Sequence, residues 1–450
     1  MENMTLFDGS YPFKRRFYYT LYNFTQQKCK NVLFLLGPRK CGKTVALLQL
    51  KETLGTGAKY INFKASDDVN TAREIKSAIE SNKDIIFLID EITYLECADR
   101  AIADWAEVLT EVPNCKTKLI ITGSQMVAIK AWGFRAFSIL AAYEEISFIN
   151  YAEWCDYKGL SITQESFNDF VLNSKEFTKI DSARNYLESC LDETIISNSK
   201  SLNIIFNNDC EGLTVKILIA VMYTTMFTLH NHVNFATFRK VTRLEDDVHY
   251  WFGFTNLDET VLNKMLANYD FLKGLNFQTF RKSILFLLQA GLITVTYFSE
   301  GIRDQADVES DLLQKESSLF SSIEDFFLNC NVCIKYPLFY VCVLQELVGD
   351  FELSGSLLGS IVECYTRGLL GRFSTEYRNK DAEIDYVDYF ERMAIEITIS
   401  NKKMSGTSLS TLDNTWKKIL LTKDIKDYTN GVLRVPYYDF IAKLCGKEKL

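Results

Sequence analysis

The chain of 450 residues is 47% hydrophobic and 24% charged, and its formal net charge is −8. This length predicts two or three domains, and the composition excludes a disordered or fibrous chain. The negative balance also excludes a global basic field of the kind with which proteins coat nucleic acid, although it leaves room for a local basic patch.

The N-terminal segment has no apolar core of the kind that a signal peptide needs, and twelve cysteines are scattered along the chain. This usage predicts reduced thiols in a cytoplasmic protein. Cys330 and Cys333 form a CxxC pair, but the sequence offers neither a second pair nor a nearby histidine to complete a zinc site. The best candidate for a membrane span, residues 217–229, is too short, so we expect a soluble protein.

Residues 31–150 alternate short apolar runs with segments in which apolar residues recur at helical spacing. Short apolar strands between helices predict an α/β domain whose parallel sheet is covered by helices on both faces. The predicted strands are residues 31–36, 59–64, 84–90, 118–124 and 144–148, and the predicted helices are residues 45–54, 71–81, 102–112 and 125–132.

Residues 151–250 favour helices, and residues 257–298 follow a helix–turn–helix–strand pattern that predicts a winged-helix unit. Gly291 would end the second helix before the strand-like run LITVTYF. A winged helix can place this helix in a DNA major groove, but two basic residues would neutralise few phosphates. The alternative is a packing module between two domains. The predicted exposed positions of the helix include Gln278, Thr279, Arg281 and Lys282.

The phosphate-binding candidate is the segment GPRKCGKT, which follows an apolar strand and opens a helix. Glycines let the backbone curl so that N–H groups point at phosphate oxygens, and the helix N-terminus adds the positive end of its dipole. Lys43 would reach the β- and γ-phosphates, and the hydroxyl of Thr44 would bind Mg²⁺. The predicted nucleotide-binding residues of this loop are Gly37, Pro38, Arg39, Lys40, Cys41, Gly42, Lys43 and Thr44.

Two further strands end in residues that suit the same chemistry. In DIIFLIDE, Asp90 is placed to hold Mg²⁺ through water, and Glu91 can accept a proton from the water that attacks the γ-phosphate. In LIITGS, Thr122 and Ser124 are candidates for sensing the γ-phosphate. Arg135, in AWGFRAF, could reach a phosphate from its own or a neighbouring subunit, so we count it with Lys43 and Glu91 as a candidate catalytic residue.

The order of these motifs resembles that of a large group of prokaryotic ATPases in the AAA+/STAND-like branch of phosphate-loop enzymes. The resemblance covers residues 31–155 and implies ATP rather than GTP, with Mg²⁺. Gly-Phe-Arg stands where that family prefers Gly-Arg. The quoted motifs are GPRKCGKT, FLIDEITYLE, the helix with Trp105, LIITGSQ, GFR and EEISFINYAEW, and the residues on motif positions are Gly37, Lys43, Thr44, Asp90, Glu91, Ser124 and Arg135.

The same family often carries a C-terminal α/β domain similar to the restriction-endonuclease (PD-(D/E)xK-like) fold, and residues 355–440 resemble its pattern. Nuclease chemistry needs two acidic Mg²⁺ ligands and a lysine. Asp385 and Glu396 could supply the acids, but Thr398 stands at the lysine position, so we expect a regulatory or binding domain that does not cut. The residues that carry this resemblance are Glu363, Tyr377, Arg378, Glu383, Asp385, Glu396 and Thr398.

The leading hypothesis from the sequence is a Mg²⁺-dependent ATPase that acts as a regulatory switch. The alternative is a nucleotide-gated module that hydrolyses little and presents its C-terminal domain to a protein or DNA partner. Homo-oligomers are compatible with both, and neither involves a membrane. The predicted parts are an ATPase core at 1–155, a helical and winged-helix region at 156–300, a polar linker at 301–319 and the nuclease-like domain at 320–450.

Overall fold

The first sheet is entirely parallel and has the strand order β2-β3-β4-β1-β5. It lies within a computed structural model that describes residues 12–197 without 28 and 65–68, residues 212–222 without 220, residues 277–299, and residues 330–446 without 354, 371–374, 379–382, 390 and 400–407. The strands are β1 (Val32–Leu36), β2 (Ala58–Asn62), β3 (Ile86–Asp90), β4 (Lys118–Thr122) and β5 (Ala141–Glu145). The parallel α/β sheet predicted from the apolar runs is confirmed.

Helices cover both faces of this sheet. All five residues of β1 are buried, and they alternate between two cores, since Leu33 and Leu35 pack on one side while Phe34 packs on the other. On the Phe34 side, a side chain at Gly133 would place its Cβ 2.6 Å from the Phe34 ring, so glycine permits the close approach of helix to sheet. The helices are α1 (Arg16–Gln26), α2 (Lys43–Leu54), α3 (Val69–Glu80), α4 (Ala98–Glu111) and α5 (Met126–Phe137).

The fifth strand lies at Ala141–Glu145 and not at the predicted residues 144–148. It is an edge strand of mixed polarity, in which Tyr143 stacks on Phe34, so it lacks the continuous apolar run that marks the buried strands. The apolar residues that suggested a strand, Ile146 and Phe148, leave the sheet and are buried in the core beside the next helices.

A group of helices follows the first sheet, as predicted for the middle of the chain. Asn150 caps the first of them and forms a capping box with Glu153, and Thr163 and Ser166 form the same motif at the second. The helices are α6 (Tyr151–Lys158), α7 (Gln164–Asn173), α8 (Lys175–Thr178) and α9 (Ala183–Ser197).

The second sheet is mixed and has eight strands in the order β12-β13-β11-β10-β9-β8-β6-β7. The pairs β6–β8, β10–β11 and β11–β13 are parallel, and the others are antiparallel. Its strands are β6 (Ile293–Ser299), β7 (Cys330–Ile334), β8 (Thr375–Arg378), β9 (Glu383–Asp388), β10 (Met393–Ile397), β11 (Lys417–Thr422), β12 (Asp427–Thr429) and β13 (Val432–Pro436). The helices of this part are α10 (Phe277–Gln289), α11 (Pro337–Val348), α12 (Gly355–Leu370) and α13 (Tyr437–Gly446).

The strand of the predicted winged-helix unit, β6, belongs to this second sheet. It pairs with β7 and β8, so the predicted boundary at residue 300 would divide strands that the structure pairs. The remainder of that unit, 257–276, and the predicted linker, 301–319, lie outside the described residues. The run LRVPYYDF, residues 433–440, contains the end of β13 and the start of α13, which begins at Tyr437.

The CxxC pair lies on β7, where Cys333 is buried in the core. Across the described ranges, no cluster of three or more His, Cys, Asp or Glu side chains could hold a metal ion by itself. None of the described helices is long and apolar enough to cross a membrane.

Candidate functional site

The loop between β1 and α2 has a backbone that only glycine accommodates at two positions. Gly42, at the N-terminus of α2, has φ +98°, in the left-handed region that L side chains rarely adopt. At Gly37, an added Cβ would lie 2.6 Å from Ile146 Cγ1 and 2.8 Å from the Ile146 carbonyl oxygen. The loop therefore curls tightly against the segment that follows β5.

Lys43 is buried inside this loop. Its Nζ donates hydrogen bonds to the carbonyl oxygens of Gly37, at 2.6 Å, and Pro38, at 2.8 Å. The lysine begins α2, whose N-terminal N–H groups and dipole favour an anion at the same place. The loop thus combines an ammonium group with the N-terminus of a twelve-residue helix.

The buried carboxylate of Asp90 lies beside the loop. Its Oδ2 accepts hydrogen bonds from Thr44 Oγ1, at 2.7 Å, and from the Tyr60 hydroxyl, at 2.8 Å, and its Oδ1 accepts one from the Glu91 N–H, at 3.1 Å. Burial, and then the charge of Asp90, raise the pKa of Tyr60, so Tyr60 remains a donor. The structure therefore brings together the two predicted Mg²⁺ residues, and hydroxyl and carboxylate oxygens are the ligands that Mg²⁺ prefers.

Glu91 is turned out of the sheet by its backbone. Its φ is +52°, which is uncommon for a residue with a side chain and is found most often at functional sites. The side chain contributes to the wall of the cavity beside the loop, and its Oε2 lies 3.5 Å from Ser124 Oγ. The predicted general base and one predicted phosphate sensor are therefore neighbours.

A cavity of about 660 Å³ opens beside the loop. Its volume lies in the range of small-molecule sites, roughly 300–1,000 Å³. Three aromatic rings, Phe13, Tyr157 and Phe177, contact each other edge to face there, with centroids 5.0–6.0 Å apart. The candidate phosphate-binding groups thus share one cavity with an aromatic wall. The lining includes Phe13, Arg15, Phe17, Lys40, Gly42, Lys43, Thr44, Gln49, Glu91, Tyr157, Glu176, Phe177 and Lys179.

Arg39 and Lys40 also line the cavity but hydrogen-bond to the middle of the chain, while Thr122 and Arg135 are not part of the cavity lining. The Arg39 guanidinium donates to the Ser189 carbonyl, and Lys40 Nζ donates to the Lys179 carbonyl at 3.2 Å. Thr122 is fully buried, and its hydroxyl has no hydrogen-bond partner among the described residues. Arg135 is exposed near the end of α5, and no hydrogen bond or ion pair joins it to the described residues of the cavity.

The turn between α10 and β6 packs against the loop Gly37–Thr44 and the start of α5. The sequence did not indicate this contact. Gln289 Nε2 donates to Gln125 Oε1 at 3.2 Å, next to Ser124. Gly291 has φ +73°, and an added Cβ would lie 2.5 Å from Met126 Sδ and 3.8 Å from Pro38 Cδ. A strand of the second sheet therefore begins in contact with the nucleotide-binding candidate.

Arg281 and Lys282 of α10 are half-buried, as is Thr279, and Gln278 is the exposed member of the four predicted DNA-facing residues. The helix buries its opposite face through Phe280, among others. Exposure of the two basic residues is thus smaller than the predicted groove-reading role requires.

The predicted acids of the second sheet have a cation among them. Nη2 of buried Arg367 lies 2.5 Å from Glu363 Oε1 and 3.8 Å from Asp385 Oδ1. Asp385 Oδ2 accepts the Ile397 N–H at 2.6 Å. Burial raises the pKa of Glu396, whose carboxylate accepts from the backbone of residues 408 and 409. The described part of the chain gives no side-chain position for Tyr377, Arg378 or Glu383.

At the predicted lysine position, the N–H of Thr398 donates to the Leu421 carbonyl at 3.0 Å. The residue therefore continues the backbone pairing of β10 with β11 for one step beyond the strand.

Comparison with known families gives one match, in the part of the chain that contains the loop. Residues 29–133 match the family model described as an AAA domain. The match includes β1 to β4 and all of the predicted nucleotide-site residues except Arg135, which lies in α5. A search of curated proteins gives no match to the chain. Within residues 29–133 the chain is therefore similar to phosphate-loop domains of the AAA type, and this match does not extend beyond residue 133.

Proposed function

We propose that the chain binds ATP with Mg²⁺ in the cavity beside Gly37–Thr44 and hydrolyses it, and that this cycle regulates the C-terminal region. The observation that carries the proposal is the 2.7 Å hydrogen bond between Thr44 and Asp90, with Glu91 in the wall of the same cavity. A hydroxyl, a carboxylate and a candidate base are thereby gathered where the AAA domain match leads us to expect ATP.

In this proposal each polar residue has a separate role. Lys43 exchanges its carbonyl partners for the β- and γ-phosphates, while Thr44 and Asp90 hold the Mg²⁺ ion, which neutralises phosphate charge. Glu91 accepts the proton of the attacking water, and Ser124, 3.5 Å away, orients the Glu91 carboxylate. Thr122, the last residue of β4, is the second candidate sensor of the γ-phosphate.

The aromatic wall supports a nucleobase as the other end of the ligand. Phe13, Tyr157 and Phe177 offer apolar ring surface on the same cavity as Lys43. A purine ring buries well against such surface, and the adenine preference follows the AAA domain. The phosphates would then lie on the loop and the base on the aromatic wall.

Contacts between the loop and the second sheet support a regulatory output. Pro38 and Gln125 lie against the turn that leads from α10 into β6, through Gly291 and Gln289. A change in the loop or at the end of β4 would therefore reach the first residues of β6 directly. We propose that nucleotide state alters how this turn packs.

Glu91 distinguishes this function from its alternative, a nucleotide-gated module that presents its C-terminal region to a protein or DNA partner with little hydrolysis. Hydrolysis requires a base at this position, whereas binding does not. The experiment measures ATP turnover and ATP affinity of the purified chain beside its Glu91→Gln variant. Glu107→Gln, an exposed change on α4, is the control.

For an ATPase, turnover falls by about 10²–10⁴-fold in Glu91→Gln, the usual contribution of a general base. ATP affinity and the Glu107→Gln control remain as in the wild type. Tight ATP binding without turnover by any of the three proteins would favour the nucleotide-gated module. Failure of the wild type to bind ATP would contradict both functions.

A further inference from the structure

Three segments that are distant in sequence form the walls of the cavity. Residues before α1 contribute Phe13, the loop contributes Lys43, and α6 contributes Tyr157. One buried side chain of the first segment, that of Arg15, contacts both of the other two. The side chain is 7% exposed, and its guanidinium carbon lies 5.0 Å from the centroid of the Phe17 ring.

Every N–H group of the Arg15 guanidinium has an acceptor. Nη1 donates to the carbonyl oxygens of Cys41, at 2.7 Å, and Ser147, at 2.8 Å. Nη2 donates to the Phe148 carbonyl oxygen at 2.9 Å and to Glu153 Oε2 at 2.5 Å, and Nε donates to the same Glu153 oxygen at 3.2 Å. Since an arginine has five N–H donors, none remains for a phosphate.

Glu153, the ion-pair partner of Arg15, is also buried and held by several hydrogen bonds. Its side chain is 2% exposed, and its Oε1 accepts the Arg16 N–H at 2.9 Å, while Oε2 also accepts the Asn150 N–H at 3.2 Å. Burial alone would raise the pKa of Glu153, but the charge and hydrogen bonds of Arg15, with the two backbone donors, lower it below the ordinary value. The pair is therefore ionised, and it ties the N-terminal segment to the first turn of α6.

We infer that Arg15 is a positioning residue for the nucleotide: it sets the distance between the phosphate loop and the aromatic wall. The Cys41 carbonyl lies within the loop, and Phe13 and Tyr157 of the wall are attached to the segments that Arg15 and Glu153 join. This inference rests on the proposed function, because it concerns how one ligand occupies both ends of the cavity.

Fixed spacing matters because base and phosphates belong to one molecule. When two subsites are held at the right separation, the second contact is intramolecular, and its ordering cost is reduced before the ligand arrives. A ligand that has phosphates and no base uses the loop alone. Loss of Arg15 should therefore weaken ATP much more than inorganic tripolyphosphate.

The adjacent arginine provides a matched control. Arg16 Nη2 also pairs with an acid of α6, Asp156, at 2.9 Å, but the two side chains are 45% and 56% exposed. An exposed pair of this kind contributes little. Replacing either arginine by lysine keeps the charge and removes the planar fork that reaches several acceptors at once.

The experiment measures the dissociation constants of ATP and of tripolyphosphate for the wild type, Arg15→Lys and Arg16→Lys, with a thermal melt of each protein. We expect Arg15→Lys to lose about tenfold or more in ATP affinity and less than about threefold in tripolyphosphate affinity. Arg16→Lys should match the wild type for both ligands.

If Arg15→Lys lost affinity equally for ATP and tripolyphosphate, Arg15 would be a general structural residue and the positioning role would be overturned. An Arg15→Lys protein with no loss of affinity for either ligand would overturn it as well. If Arg15→Lys does not fold, Glu153→Gln keeps the shape of the carboxylate and provides the same comparison of ligands. If the wild type bound tripolyphosphate and ATP equally tightly, the positioning role would also be refuted, because the base would then contribute nothing to binding. A wild type that binds neither would instead refute the proposed function.

Discussion

Each of the two sheets has an aspartate on one of its strands, and the two carboxylates have different partners. Asp90, at the end of β3, accepts hydrogen bonds from Thr44, Tyr60 and the Glu91 backbone, all of which are neutral donors. Asp385, on β9, lies near the buried guanidinium of Arg367 and accepts a backbone N–H. Among the residues that the structure describes, the carboxylate of Asp385 thus has a cationic neighbour, whereas the hydrogen-bond partners of Asp90 are neutral.

This difference explains why acids alone do not define a metal site. Taking a charge out of water is costly unless an opposite charge accompanies it. In the second sheet Arg367 supplies that charge permanently, between Glu363 and Asp385. In the first sheet, the Mg²⁺ ion of the proposed function would supply it to Asp90 when the nucleotide binds.

Removal of Arg367 should therefore have the largest effect on stability. In Arg367→Met the acids near the guanidinium lose a buried partner, and breaking such a pair costs about 3–5 kcal/mol of unfolding free energy. Urea denaturation of the full chain measures this loss. Arg184→Met, which breaks a pair with Glu346 whose arginine is 54% exposed, should cost about 0–1 kcal/mol.

The double variant Arg367→Met/Glu363→Gln should recover part of the loss, because it removes one of the charges that the arginine balances. An Arg367→Met protein as stable as the wild type would contradict the comparison, since the guanidinium would then not be balancing buried charge.

Asp90→Asn tests the other half of the comparison. We expect the enhancement of ATP affinity by Mg²⁺ to fall by about tenfold or more, because a contact to an ionised acceptor becomes one to a neutral amide. Unfolding free energy should fall by only about 1 kcal/mol, as an NH₂ group replaces one oxygen acceptor. Titrations with Mg²⁺ and with EDTA measure the first effect. Asp84→Asn, exposed before the same strand, should behave as the wild type.

The elements that the sequence predicted are those whose signals are local. Buried parallel strands are continuous apolar runs, and a phosphate loop is one short segment, so β1, β3, β4 and Gly37–Thr44 were identifiable. The predicted position of the edge strand β5 was wrong by three residues, because its sequence AAYEE contains no continuous apolar run. Tyr60 and Arg15 were missed because their partners lie 30 and 138 residues away.

The second sheet was harder to predict for the same reason. Its strands come from Ile293 to Pro436, and β6 pairs with β8 across most of that length. The acids Glu363 and Asp385 were identified by residue type, but only the packing of α12 shows that Arg367 lies beside both. Charge balance of this kind depends on tertiary contacts.

A steric change in the loop Gly37–Thr44 should reduce ATP affinity by an amount similar to that expected for Asp90→Asn. Gly37→Ala would place a Cβ 2.8 Å from the Ile146 carbonyl oxygen and 2.9 Å from Cys41 Sγ, so the loop must shift. Overpacking of this kind costs about 1–3 kcal/mol, which corresponds to roughly a 5–150-fold loss of ATP affinity if the bound form carries the strain. Calorimetric titration measures it.

Gly57→Ala is the matched control, since no atom lies within 4 Å of its added Cβ and its φ is not positive. We expect its ATP affinity to be that of the wild type. Equal affinities of Gly37→Ala and the wild type would mean that the loop does not need its close approach to Ile146.

The smallest effect on ATP binding is expected from Arg135, whose exposed side chain could reach the phosphates bound to a second copy of the chain. Arg135→Ala should change ATP affinity by less than about 0.5 kcal/mol, as for most surface changes, and so should the control Arg100→Ala on α4. Turnover should fall in Arg135→Ala alone. Mixing it with Glu91→Gln should restore turnover, because one copy then brings Glu91 and the other Arg135. If Arg135→Ala lost turnover and mixing did not restore it, Arg135 would act in the site of its own subunit. If Arg135→Ala kept its turnover, Mg²⁺ and Lys43 would be the cations that neutralise the phosphates.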